Sequence, residues 1–126
     1  MTITEKQIEN DIITFLRKKG VFCWKNQSTG LYDPTKRTFR KAMSVNQLNG
    51  VSDILGIING RMLAIEVKKP YISKKTMRVM ERSQEQLEKL ASDDQVLFIK
   101  NITALGGVAF YADSIDLIKI HMKEFI

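Results

Sequence analysis

The chain has 126 residues, 44% of them hydrophobic, with 20 Lys and Arg against 14 Asp and Glu and a net charge of +6. That length and hydrophobic content predict a single domain spanning 1–126 with its own core, and no stretch approaches the ~18 consecutive apolar residues of a membrane span. One cysteine, Cys23, and one histidine, His121, exclude an intrachain disulfide, a cysteine-based zinc site and most histidine-based metal sites and triads, and the positive charge favours a polyanionic partner such as nucleic acid.

The opening MTITEKQIEN has no apolar region of the kind a signal peptide needs, so a reducing cytoplasm is expected. TEKQIENDIITFLRKKG reads as a helix: Thr4 and Gln7 have capping-box spacing, Ile8, Ile12, Phe15 and Leu16 form an apolar stripe, and Gly20 is placed to end it. VFCWKN follows as a strand, with Phe22 and Trp24 assigned to the core and Cys23 to a small buried apolar position. The segment Gln27–Gly50 has no periodicity and is dense in Ser, Thr, Asn and Gly, which predicts a long loop. It carries Lys36, Arg37, Arg40 and Lys41 with Tyr32 and Phe39 interleaved, a pattern that suits nucleic-acid contact and equally a solvated loop with scattered charge.

GVSDILGIINGRMLAIEVKKP, from Gly50 to Pro70, contains two apolar runs around Asn59-Gly60, the signal of a type I′ hairpin. KKTMRVMERSQEQLEKLA reads as a helix with Lys74, Lys75, Arg78 and Arg82 near its start. SDDQVLFIKNITALGG reads as another, capped by Ser92, with two acids in its first turn and Gly106 at its end. VAFYAD is a short strand, and SIDLIKIHMKEF a closing helix capped by Ser114. The order is that of an α/β domain, a mixed sheet with helices around it.

The hairpin carries the chemistry. If Ile58 lies opposite Arg61, then Asp53 lies opposite Glu66, and directly opposed residues share a face. Lys68, two residues further, points the same way. Ile54, Ile58, Leu63, Ile65 and Val67 then form the other, apolar face. Opposed like charges destabilise a sheet, so something offsets Asp53 against Glu66. Lys68 as a salt-bridge partner is one solution. A divalent cation is the other: carboxylates, a backbone carbonyl and waters suit Mg²⁺. In that case Lys68 is placed to orient a water or to neutralise charge on a phosphate.

Ser52-Asp53 followed by Glu66-Val67-Lys68 after a hairpin resembles the PD-(D/E)XK nuclease motif. IENDIITFLRKKG, GVSD, AIEVKKP, SDDQVLFIKNITALGG and VAFYAD resemble, in order, the blocks of the virus-type replication-repair nuclease (VRR-NUC) family, from Ile8 to about Ser114. The chain departs from the family pattern at Ser52, where a proline is usual.

The resemblance implies a restriction-endonuclease-like fold and a Mg²⁺- or Mn²⁺-dependent endonuclease hydrolysing DNA phosphodiesters. Stand-alone, often phage-borne members of this size are similar to Holliday junction resolvases, which implies a homodimer acting on four-way junctions. By motif match Asp53, Glu66 and the Val67 carbonyl would hold the metal, and Lys68 would be catalytic. Glu9 would match the acid of the first helix, acting directly or through water, with Glu5 the weaker alternative in the first turn. Gln95 and Gln86 compete for the family glutamine, and the distance to Gly106-Gly107 favours Gln95. Lys25, Lys36, Arg37, Arg40, Lys41, Lys74 and Lys75 are the expected phosphate contacts. The rival readings are a non-catalytic nucleic-acid-binding module and a subunit of a replication or repair assembly.

Overall fold

The computed structural model describes residues 3–26, 31–33, 38–40 and 46–126, the two three-residue stretches by backbone alone. Helix α1 (Glu5–Lys18) opens on a reciprocal cap: Gln7 N donates to Thr4 Oγ1 at 3.2 Å, and Thr4 N donates to Gln7 Oε1 at 2.9 Å. Strand β1 (Phe22–Lys25) follows, then two short strands, β2 (Leu31–Asp33) and β3 (Thr38–Arg40), paired with each other. Strands β4 (Ile54–Ile58) and β5 (Arg61–Val67) form the hairpin. Asn59 and Gly60 both have positive φ, +49° and +75°, as a type I′ turn requires. Helices α2 (Gln84–Glu88) and α3 (Asp93–Ala104), strand β6 (Val108–Ala112) and helix α4 (Ile115–His121) complete the order.

The main sheet runs β1-β4-β5-β6, with β1, β4 and β5 antiparallel and β6 parallel to β5. This mixed sheet with flanking helices is the α/β architecture expected, and it is consistent with a restriction-endonuclease-like fold. One face carries Ile54, Ile58, Leu63, Ile65 and Val67, all buried against Ile8, Ile12, Ile13 and Leu16 of α1 and against Ile118 and Met122 at the end of the chain. Each such side chain contributes ~1.5–3 kcal/mol relative to exposure. A smaller cluster, Leu87, Ile99 and Tyr111, lies under α2 and α3. No described helix is long and apolar enough to cross a membrane.

Three expectations are corrected. The segment Gln27–Gly50 is not loop throughout: Leu31↔Arg40, Tyr32↔Phe39 and Asp33↔Thr38 pair as β2 and β3. Runs of three residues are too short to show a period, although Tyr, Phe and Thr favour strands. Nor does a helix run from Lys74. The segment Tyr71–Met80 instead folds back on itself, with an Ile72↔Val79 bridge, Ser73 N donating to Arg78 O at 2.9 Å and Met80 N to Tyr71 O at 2.8 Å. Lys74, Arg78 and Arg82 would stack like charges at i,i+4 on a helix, which opposes it. Helix α2 begins only where Ser83 and Gln86 make a capping box. Finally, Phe22 is not core. It is 68% exposed on the edge strand and Trp24 is half-buried beside it, the rings 5.4 Å apart on the face opposite α1, while Cys23 between them is buried.

Candidate active site

Helix α1 and the apolar face of the hairpin fix one side of the sheet, so the charges of the hairpin fall at its open end. The register runs from Ile58↔Arg61 to Ile54↔Ile65, and Asp53 and Glu66 are the next residues outward, close enough for the charge of one to act on the other. Asp53 sits where β4 begins. Its carbonyl accepts from Asn26 N at 2.8 Å, and its Oδ2 accepts from Val67 N at 2.8 Å, so the carboxylate bonds to β5 in place of a further backbone rung. The Val67 carbonyl lies on the same edge of β5 as that N–H.

Glu66 is 2% exposed, and its Oε2 is buried with no hydrogen-bond donor among the described residues. Burial first, then the charge of Asp53, pushes the Glu66 carboxyl up to about 9, against the opposing pull of Lys68. Two neighbouring carboxylates in a buried site repel unless one binds a proton or both bind a cation. The arrangement therefore holds either that proton or a cation.

Gln95 ties the remaining groups together. Its Nε2 donates to Glu66 Oε1 at 2.9 Å, and its Oε1 accepts from Lys68 Nζ at 3.3 Å. The same Oε1 accepts from Ser92 N at 2.9 Å, while Gln95 N donates to Ser92 Oγ at 3.2 Å. The cap that starts α3 thus also locks the rotamer that orients Glu66 and Lys68. Gln86 does the capping job alone, on Ser83. Lys68 is 8% exposed, with Nζ 3.9 Å from Glu66 Oε1 and 3.5 Å from Leu90 O.

Glu9 is buried at the edge of the α1 stripe, with Lys25 Nζ 3.7 Å from its Oε1, whereas Glu5 is exposed. Burial, then the charge of Asp53, raises the Glu9 carboxyl above its ordinary value, which places Glu9 within electrostatic reach of the hairpin acids. Lys74 and Lys75 are exposed on the folded-back segment, away from the acids in sequence but joined to Lys68 through Lys69 and Pro70. Lys36, Arg37 and Lys41, and the side chain of Arg40, lie outside the described residues.

Sequence reasoning missed several residues that set this geometry. Gly50, at φ +76°, packs its Cα on the start of α3: a Cβ there would lie 2.4 Å from Asp94 C and 2.6 Å from Gln95 N. It holds the Ser52-Asp53 strand entry against the helix that carries Gln95, and only its place two residues before Ser52 hinted at this. Gln84 exchanges two hydrogen bonds with the backbone of Tyr111, at 2.6 and 2.7 Å, and so acts as one more rung on the outer edge of β6. Tyr111 is the direct neighbour of Glu66 across the parallel pair, its hydroxyl buried without a partner among the described residues and pushed up to about 12 by burial and by Glu88 and Glu66. Arg82 pairs with buried Asp113 at 2.9 Å and donates to Lys69 O at 2.7 Å.

Among the described residues no group of three or more His, Cys, Asp or Glu side chains is gathered to enclose a metal ion. A hard cation that keeps most of its waters needs fewer protein ligands, and the donorless Glu66 Oε2 beside Asp53 fits such an ion. No protein-family model matches the sequence, and no curated protein matches it.

Proposed function

We propose that the chain is a Mg²⁺- or Mn²⁺-dependent DNA endonuclease of the PD-(D/E)XK type, related to the VRR-NUC family and acting on branched DNA as a homodimer. The observation that carries this reading is Asp53 beside the buried Glu66, with one Glu66 oxygen lacking a donor among the described residues and Lys68 held 3.9 Å from the other. A buried carboxyl oxygen without a partner costs ~1–3 kcal/mol, a cost that a bound cation would offset.

Asp53, Glu66 and the Val67 carbonyl would hold the ion, with Glu9 bordering it. When bound, the ion supplies polarisation of a phosphodiester oxygen and a lowered pKa for its water. Gln95 fixes the Glu66 carboxylate and aims the Lys68 ammonium. Lys68 places its positive charge where negative charge grows on the phosphate, or where an attacking water sits. Lys25, Lys74, Lys75 and the basic residues between Gln27 and Gly50 give the DNA backbone its cationic partners, a mode that reads shape more than sequence. Two-fold symmetry would bring a second such centre for the second strand.

The rival is a salt-bridge cluster in which Lys68 merely neutralises Glu66. Calorimetric titration of Mn²⁺ into wild type and Asp53→Asn separates them. The nuclease reading requires binding by wild type that the variant loses. If neither binds, and Asp53→Asn melts lower in chelator, the three charges are structural.

A further inference from the structure

Immediately beyond Lys68 the surface opens into a cleft of about 550 Å³. Lys69, Lys74 and Arg82 line it, with Pro70, Tyr71 and, from the approach to α1, Ile3. No carboxylate among the described residues lines it. Tyr71 is 54% exposed although aromatic, and it is presented by the folded-back segment through the bond from Met80 N to its carbonyl. Arg82 is fixed by Asp113 and Lys69 O through Nε and Nη2, which leaves both Nη1 protons without a partner among the described residues. The cleft therefore joins an open aromatic face to three cations, and its volume suits a small bound group. Lys69 directly follows Lys68 in the chain, which ties the cleft to the end of the hairpin that carries the acids.

We infer that this cleft receives an unpaired nucleotide of the DNA strand beside the cleavage position, its base on Tyr71 and its phosphate against Lys69 and Lys74. The inference rests on the nuclease reading and narrows its substrate. A base inside a duplex has both faces covered by neighbouring pairs, so a tyrosine stacks on an unpaired base or on the open face of a terminal pair, and the blunt-ended probe controls for the second. Phosphate accounts for the cations and the base for the aromatic wall.

Anisotropy of labelled DNA in chelator tests this without cleavage. The probes are a duplex with a single-stranded overhang and the same duplex with blunt ends. Tyr71→Ala weakens overhang binding about fivefold or more, the low end of one lost base stack, and leaves blunt-end binding unchanged. Tyr71→Phe binds as wild type, which separates loss of the ring from misfolding. Equal losses on both probes, no loss on either, or failure of Tyr71→Phe to restore binding would overturn the inference. Cleavage by wild type in Mn²⁺ is scored separately. Cutting without Tyr71 dependence removes this site alone, and Tyr71-dependent binding without cutting keeps the nucleotide site and removes the nuclease.

Discussion

Glu66→Gln should change how stability depends on pH. The Glu66 carboxyl moves from its ordinary 4.5 up to about 9 on folding, chiefly by burial and next by Asp53. Between those values the folded chain holds a proton that the unfolded chain has released. Stability from this group is therefore fully present below 4.5 and is lost as pH rises towards 9. The slope is at most ~1.4 kcal/mol per pH unit. For 126 residues, with an unfolding entropy of ~2.1 cal/mol/K per residue, that corresponds to a thermal midpoint falling by about 5 °C per pH unit. Glutamine keeps the shape and cannot ionise, so this part of the slope vanishes. Glu9, raised in the same direction, contributes to both proteins and drops out of the difference. Differential scanning fluorimetry in chelator from pH 5 to pH 8 reads it: the variant overtakes wild type as pH rises. With Mn²⁺ present, wild type gains a stabilisation that grows with pH, because the ion competes with the proton. Parallel midpoint curves in chelator would refute the claim that Glu66 keeps its proton in the fold.

Gly50→Ala should cost more than ~1 kcal/mol, because φ is +76° and the new Cβ would meet the backbone of Asp94 and Gln95. A thermal midpoint equal to that of wild type would show that this contact is not tight. Tyr111→Phe removes a buried hydroxyl without a partner among the described residues and should be neutral or stabilising by about 1 kcal/mol in denaturant melts. A clear loss of stability would mean that the hydroxyl has a partner.

The hairpin was readable because its information is local. Asn59-Gly60 dictates the turn, the turn dictates the register, and the register brings Asp53 to Glu66. The capping residues Thr4, Ser92 and Ser114 were readable for the same reason. The second half of the site was not. That Gln95 bonds Glu66 follows from where α3 docks, and Gln86 carries the same local signature without reaching the site. The segment from Lys74 misled because charge density resembles a solvated helix, while the cross-bridge Ile72↔Val79 and the long-range pair of Arg82 with Asp113 carry no local signal. Phe22 misled because an edge strand has fewer neighbours to cover its outer face than a central one, which its apolar side chain does not announce.

The most direct test is cleavage. Blunt duplex, single-stranded, flapped and four-way-junction DNA would each be incubated with the chain in Mg²⁺, in Mn²⁺ and in chelator, and the products sized on a denaturing gel. On the nuclease reading, wild type should cut a branched substrate in at least one metal and not in chelator, and Asp53→Asn, Glu66→Gln and Lys68→Ala should not cut. Intact DNA of every form in both metals, or cutting by Asp53→Asn at the wild-type rate, would contradict it.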